Sequence, residues 1–159
     1  MSGYLTRRMT GARHPHQFYA ATVAGHLELS LGAAPTEWGT DADDDGTLTI
    51  TCLYRPIAPG RDDTGLPRLS ADPEAWPHGV ELYWDEHHGW QYIPLDEDSE
   101  PLRAEPVPLP VPVLASPQAL AALLPALLAG REHELPADTR EWQYADELRA
   151  ELAARNATR

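Results

Sequence analysis

The sequence contains no lysine and only one cysteine in 159 residues. The single Cys52 excludes an internal disulfide framework and a zinc site built from several cysteines. All twelve basic residues are therefore arginines, and 25 acidic residues outnumber them, which gives a net charge of −13. Because phosphate contacts require an excess of basic side chains, this balance argues against general binding to nucleic acids or anionic membranes.

Long apolar segments are also missing. The longest, residues 119–129, is too short to span a bilayer and contains Pro125. No apolar run of signal-peptide length follows Arg7 and Arg8, and Ser2 stands where myristoylation requires glycine. We therefore expect a cytoplasmic protein.

The charge is distributed unevenly along the chain. Residues 1–13 carry three arginines and no acid, whereas residues 14–130 carry eighteen acids and four arginines. With 42% hydrophobic residues, the chain has enough apolar side chains for one core. We expect a mobile basic tail over residues 1–13 and a single domain over residues 14–159.

The first regular element predicted is a helix over residues 16–31. Tyr19, Val23, Leu27 and Leu31 recur every four residues, and Gly32 is suited to the helix C-cap. Residues 27–31 also alternate like a strand, but the longer apolar stripe favours the helix.

Three strands are expected next. Residues 47–54 alternate, with Leu48, Ile50, Cys52 and Tyr54 on one face and threonines on the other. In residues 80–84, Val80, Leu82 and Trp84 likewise share one face. A third strand covers residues 90–93, after a five-residue loop that contains a late glycine. Trp84 and Trp90 flank this loop and can pair across the two strands.

Residues 106–113 have proline at every second position. In an extended conformation, every N–H on one side is missing, which is typical of an edge strand protected from further pairing. A polyproline II linker remains the alternative.

Two helices are predicted at the end of the chain. Ser116 and Pro117 suit a helix start, Pro125 is expected to kink or split that helix, and Gly130 ends it. Asp138 begins a pattern that resembles a capping box for the second helix, in which Trp142, Ala145, Leu148 and Leu152 repeat at helical spacing through about residue 155. The sequence thus predicts an α+β fold: an N-terminal helix, a three- to four-stranded antiparallel sheet with a Pro-rich edge segment, and two C-terminal helices.

One acidic segment resembles the start of a calcium-binding loop. Asp41, Asp43 and Asp45 occupy positions one, three and five, and Gly46 occupies position six. The bidentate glutamate expected at position twelve is replaced by Cys52. An acidic turn is therefore the favoured interpretation, and a weak cation site is the alternative.

The hairpin loop is the main candidate for binding or chemistry. Tyrosine and tryptophan outnumber phenylalanine, and their amphipathic rings are typical of interaction surfaces. The partner-binding candidates are the residues in and beside the loop: Tyr83, Trp84, Asp85, Glu86, His87, His88 and Trp90. The loop histidines and acids could alternatively serve a metal-dependent protein or a small enzyme, although no nucleophile or cofactor motif occurs. We expect no cofactor and no assigned catalytic residue.

The segment 79–85, followed by Gly89 and Trp90, resembles a Trp-Asp…Gly-Trp hairpin in small uncharacterised actinobacterial proteins. This resemblance implies an N-terminal helix before the strands and leucine- and alanine-rich helices after them. It implies no activity and no catalytic residue. The alternating prolines after the hairpin depart from that pattern.

The leading functional hypothesis is a non-catalytic protein-binding or regulatory module whose acidic region binds a partner with a basic surface. The first alternative is an inhibitor, immunity protein or nucleic-acid mimic that covers a basic site. The second is a small enzyme or metal-dependent protein that uses His87 and His88. We also consider a homodimer, because the leucine face of residues 120–128, together with the stripe of residues 142–152, is larger than a small sheet can cover.

Overall fold

The computed structural model describes residues 14–32, 35–56, 69–102 and 105–158. These form α1 (Gln17–Leu31), β1 (Glu37–Ala42), β2 (Leu48–Tyr54), β3 (Val80–Asp85), β4 (Gly89–Pro94), β5 (Val107–Pro108), α2 (Pro117–Leu128) and α3 (Ala145–Ala157). The strands make one antiparallel sheet in chain order. The predicted α+β fold is confirmed. The basic tail predicted over residues 1–13 lies outside the described residues.

Helix α1 forms where the four-residue apolar repeat predicted it. Tyr19, Val23 and Leu27 are buried, and the helix ends at Gly32, whose φ of 63° is left-handed. The Gly32 N–H donates to the Glu28 carbonyl and closes the last turn. The strand alternative for residues 27–31 is wrong.

The sheet has five strands, where three or four were expected. The additional strand is β1, which contains Gly39 and two acids and therefore has little strand propensity of its own. It pairs with β2 over its full length, from Glu37 opposite Leu53 to Ala42 opposite Leu48. Tertiary pairing thus overrides the local sequence.

The sheet has one buried face and one partly exposed face. Along β2, the alternating residues Leu48, Ile50, Cys52 and Tyr54 are buried, and along β3 the same holds for Val80, Leu82 and Trp84. We call this helix-packed side the inner face. The intervening residues of each strand, including Tyr83, point to the opposite side, which we call the outer face.

Strand β5 confirms the predicted edge strand for its two residues. The Leu109 N–H donates to the Trp90 carbonyl over 2.9 Å, directly after β5. Because backbone groups alternate in direction, the Val107 N–H also faces β4, whereas the nitrogen of Pro108 faces the open edge. The outward side of this edge therefore lacks a donor at Pro108.

We call residues 106–113 the proline arm. Its residues 109–113 follow β5 and pack over the end of the β3–β4 hairpin. The indole Nε1 of Trp84 donates to the Val113 carbonyl over 2.7 Å. Gly89 has a φ of 77°, and a Cβ added there would lie 2.8 Å from Val113 Cα. This close approach requires glycine at the end of the loop.

Helix α2 begins as predicted, since the Ser116 hydroxyl accepts a hydrogen bond from the Ala119 N–H. The predicted split at Pro125 is wrong, because the helix continues through this residue to Leu128, whereas the alternative of a kink there stays a prediction. No described helix is long and apolar enough to cross a membrane.

The capping box predicted at Asp138 is wrong, because α3 begins at Ala145. The Asp138 carboxylate instead accepts hydrogen bonds from the Arg140 guanidinium. The predicted apolar repeat is nevertheless buried at Trp142, Leu148 and Leu152. The repeat identified the packed residues correctly, although its first member precedes the helix.

Tyr19 lies at the centre of the core. Its ring centroid is 6.0 Å from that of Trp84, 6.2 Å from Trp90 and 4.8 Å from Trp142. The buried Tyr19 hydroxyl donates to the Ala115 carbonyl over 2.6 Å and accepts from the Trp90 indole over 2.9 Å. One hydroxyl therefore connects α1, β4 and the segment before α2.

We predict that Tyr19→Phe lowers the free energy of unfolding by about 2–3 kcal/mol, because it leaves the Trp90 N–H and the Ala115 carbonyl unpaired in the core. Urea denaturation measures this change. Tyr144→Phe, at a half-buried tyrosine next to Trp142, is the comparison and should cost less. Equal losses in the two variants would contradict a special role for the Tyr19 hydroxyl.

His16 is fully buried at the start of α1. Its Nε2 lies 2.8 Å from the Thr49 carbonyl, and its ring stacks on Trp84 with centroids 5.8 Å apart. Since a carbonyl only accepts, Nε2 carries the hydrogen. Burial lowers the pKa of His16 from 6.5 to about 4, against the opposing effect of this hydrogen bond.

This lowered pKa predicts acid sensitivity at His16. Between about pH 6.5 and pH 4 the unfolded chain takes up a proton that the folded protein excludes, so stability falls over that range. The full loss is about 3 kcal/mol. Unfolding free energies at pH 7 and pH 4.5 measure the difference, which His16→Gln should reduce. His133→Gln, at an exposed side chain, should retain the wild-type difference, and an unchanged difference in His16→Gln would contradict the assignment.

Candidate functional site

A groove of about 650 Å³ lies on the outer face of the sheet. We call it the outer groove. Its floor comes from β3 and β4, and Pro101 together with residues 105–108 forms one wall. The described residues that line it are Glu81, Tyr83, Asp85, His88, Gln91, Ile93, Pro101, Glu105, Pro106 and Pro108. Strand alternation explains the floor, because Glu81, Tyr83 and Asp85 are the β3 residues that point away from the core.

The outer groove is acidic. Glu81, Asp85 and Glu105 line it, and no arginine is among its described lining residues. Burial, and then the neighbouring Glu100 carboxylate, raise the pKa of Glu81. No described arginine or histidine forms an ion pair with Glu81. A cation in the groove would stabilise the ionised Glu81 and so offset the rise in its pKa.

Tyr83 occupies the middle of the β3 floor, opposite Gln91 on β4. Burial raises the pKa of its phenol, and the carboxylates of Asp85, Asp43 and Glu81 raise it further. The hydroxyl therefore stays protonated and can donate a hydrogen bond. Its ring also offers a π-face to a cation.

Asp85 and His88 form a pair at one end of the groove. The Asp85 carboxylate accepts hydrogen bonds from the backbone N–H of His87 (2.8 Å) and His88 (2.7 Å), and the His88 Nδ1 lies 3.0 Å away. Burial opposes ionisation of Asp85, but the hydrogen bonds from His88 and His87 outweigh it and lower its pKa. Asp85 thus fixes the loop conformation and keeps its charge, while the His88 ring remains exposed to solvent.

Glu86 turns away from the groove and is almost completely buried, with 2% of its side chain exposed. Its carboxylate accepts from the Leu48 N–H (2.8 Å) and the Asn156 side chain (2.9 Å), and Arg155 lies 3.6 Å away. Arg155 also donates to the Gly46 carbonyl over 2.8 Å. Glu86 therefore joins the hairpin loop to β2 and to the end of α3.

The structure brings together only three of the seven partner-binding candidates. Tyr83, Asp85 and His88 line the outer groove. Trp84 and Trp90 lie in the core, paired across β3 and β4 as predicted. Of the remaining candidates, the Glu86 side chain is buried and faces Leu48 and Asn156. His87 is exposed and is not among the described residues that line the groove.

Sequence reasoning missed Glu81, Gln91 and Glu105. The sequence could have indicated Glu81, because Glu81 alternates with Tyr83 and Asp85 along β3 and therefore lies on the same face of the sheet. Gln91 follows from the cross-strand register, which the loop length sets. Glu105 had no sequence signal, since its position depends on the path of the chain before β5.

The calcium-like segment is divided between a strand and a turn. Asp41 lies within β1, whereas Asp43 and Asp45 follow it. The Asp43 and Asp45 carboxylates both accept the Thr47 backbone N–H, at 2.9 and 3.0 Å, and so stabilise the turn. In the described part of the chain, no group of three histidine, cysteine or acidic side chains is arranged to hold a metal ion. The geometry therefore does not support a cation site at Asp41, Asp43 and Asp45.

The described polar groups of the groove are carboxylates, the Tyr83 phenol, the His88 imidazole and the Gln91 amide. Its described lining contains no serine, threonine, cysteine or lysine that could act as a nucleophile beside His88. Cys52 lies on the inner face, where burial, and then Glu81, raise the pKa of its thiol to about 12. That thiol stays protonated and does not reach the groove.

No family model matches this chain, and no curated protein or solved structure is significantly similar to it. The resemblance to actinobacterial hairpin proteins therefore stays a prediction.

We predict that Glu86→Ala lowers the free energy of unfolding by about 2–4 kcal/mol, because it leaves the Leu48 N–H without its acceptor and removes the carboxylate beside the Arg155 guanidinium. Chemical denaturation measures the loss. Glu97→Ala, which removes an exposed carboxylate, is the matched control and should stay within about 0.5 kcal/mol of the wild type. If both variants were equally stable, Glu86 would not hold the hairpin loop to α3.

Proposed function

We propose that this protein is a non-catalytic binding module that holds a basic segment of a partner protein in the outer groove. The observation that carries the proposal is the half-buried Glu81 carboxylate beside the Tyr83 ring, with no described cation to pair with it. Carboxylates and an aromatic face together are the groups that recognise arginine or lysine.

The charge of the groove favours a basic partner. Asp43 and Asp45 lie close enough to Tyr83 to raise its pKa, in addition to the lining acids. The negative potential therefore extends from the groove to the β1–β2 turn. Such a surface increases the association rate of a positively charged segment.

The shape of the groove favours an extended segment. Pro101, Pro106 and Pro108 form an apolar wall, while Tyr83 and Gln91 lie side by side on the floor. Proline has no N–H, so this wall offers only apolar contacts and carbonyl oxygens. The bound segment would place a cationic side chain between Glu81 and Asp85 and its apolar portion against the prolines.

A second candidate function is an inhibitor that covers a broad basic site. Glu37 and Asp41 lie four residues apart on β1, and Glu81 and Asp85 lie four residues apart on β3. All four belong to the outer face, with about 13 Å between the members of each pair. An inhibitor or nucleic-acid mimic would use this whole face, whereas the binding module needs only the groove.

We predict that Glu81→Gln with Glu105→Gln weakens binding of a basic probe by about tenfold, because two charged contacts of about 1 kcal/mol or less are lost. The probe is the acetylated and amidated peptide with four Arg-Ala repeats. Calorimetric titration at low salt measures the affinity, and two-dimensional NMR maps the shifted amides, which should include Tyr83 and Gln91.

The matched control is Glu97→Gln with Asp98→Asn, which removes the same charge at exposed positions outside the groove. Equal weakening in both double variants would mean that net charge alone attracts the peptide, and the groove proposal would fail. Glu37→Gln with Asp41→Asn tests the second candidate, because an inhibitor that uses the whole face requires the β1 acids and binding confined to the outer groove does not.

A further inference from the structure

The two edges of the sheet differ in their backbone groups. At β5, the proline at position 108 removes the outward donor. At β1, the Asp43 N–H donates to the Thr47 carbonyl, which continues the β1–β2 register by one residue. Backbone direction alternates along a strand, so the N–H and carbonyl groups of Trp38 and Thr40 point away from β2 to the open edge. No described strand pairs with that edge.

One backbone N–H of β1, that of Ala42, has a local partner that is consistent with its pointing to the open edge. The Ala42 N–H, which has the same parity as Trp38 and Thr40, donates to the Asp41 side chain over 2.8 Å. The Thr40 and Trp38 positions have no such local acceptor in the described contacts. They leave room for two pairs of hydrogen bonds to an added strand.

A notch of about 250 Å³, lined mainly by small and apolar residues together with Glu28, accompanies the open edge. Ala24 and Gly25 of α1 form one side and Trp38 forms the other, with 44% of Trp38 exposed. A Cβ placed on Gly25 would meet no atom within 4 Å, so the space beside the helix is open. A side chain such as that of valine, carried by a strand added to β1, would enter it.

The charges at this edge determine the occupant. Glu37, whose carboxylate lies 3.5 Å from the partly exposed Arg55 guanidinium, and Asp41 are on the outer face. Asp43, Asp44 and Asp45 follow at the end of the strand. Like charges opposite one another destabilise paired strands. A second copy of this chain, paired antiparallel through β1, would bring its own acids to the same edge.

We propose that the open edge of β1 accepts an extended, cationic strand of a partner protein by strand addition. In the added strand, the residues opposite Glu37 and Asp41 are arginine or lysine. The residues opposite Trp38 and Thr40 are apolar, and their side chains lie on the side of the sheet that carries the notch. Backbone hydrogen bonds to Trp38 and Thr40 supply affinity, and the alternation supplies specificity. This site lies at the opposite edge of the sheet from the outer groove and does not depend on it.

The test uses the full chain and the acetylated, amidated peptide Arg-Val-Thr-Val-Arg, which reads identically in residue type in both directions. We expect its binding to slow hydrogen exchange of the Trp38 and Thr40 amides and to quench or shift Trp38 fluorescence. Thr40→Pro should weaken binding about tenfold, because it removes one outward donor. Thr40→Val keeps the N–H and the side-chain shape and should bind like the wild type.

Two further probes keep the test independent of whether Thr40→Pro folds. A peptide methylated on both valine nitrogens should lose binding to the wild-type protein, and Glu-Val-Thr-Val-Glu should bind at least tenfold more weakly. Unchanged exchange at Trp38 and Thr40 with bound peptide would overturn the proposal. So would protection of these amides in the free protein that increases with its concentration, since that would identify a second copy as the occupant.

Discussion

The buried hydroxyl of Tyr19 is the contact on which the arrangement of this fold depends. It is the point at which α1, strand β4 and the segment before α2 meet, through one donated and one accepted hydrogen bond. Because both partners are buried, neither can exchange this contact for water without a cost of about 1–3 kcal/mol. The hydroxyl therefore fixes where the helix lies on the sheet, which in turn determines which sheet face remains for binding.

The same strand alternation that builds the core creates the outer groove. Trp84 points inward to Tyr19 and His16, so its neighbours Tyr83 and Asp85 must point outward. The proline arm contributes to both the core and the groove. Its Val113 carbonyl accepts the hydrogen bond from the Trp84 indole, while Pro106 and Pro108 form part of the groove wall. Core and groove are thus two consequences of one register, and a shift of β3 by one residue would destroy both.

Periodic signals were sufficient for most of the fold. The four-residue repeat from Tyr19 and the alternation in residues 48–54 and 80–84 gave the helix, two strands and their buried faces. Strand β1 could not be predicted, because Gly39 and its acids carry no strand preference and pairing with β2 supplies the stabilisation. Asp138 misled for a related reason: a local capping pattern does not show that Arg140 takes the carboxylate. In the site, Tyr83, Asp85 and His88 were found, whereas Glu105 depends on a chain path that no local pattern encodes.

The hairpin loop shows why composition alone overstates a functional cluster. Asp85, Glu86, His87 and His88 are adjacent in sequence, yet strand alternation and the turn send them in different directions. Asp85 holds the loop from the groove side, and Glu86 holds it from the α3 side through Leu48 and Asn156. Both carboxylates are occupied by backbone N–H groups, which leaves Glu81 and Glu105 as the groove acids without a described cation. The groove acids that lack a described cation therefore lie outside the hairpin loop, and the acids of the loop hold the loop itself and the end of the groove floor in place.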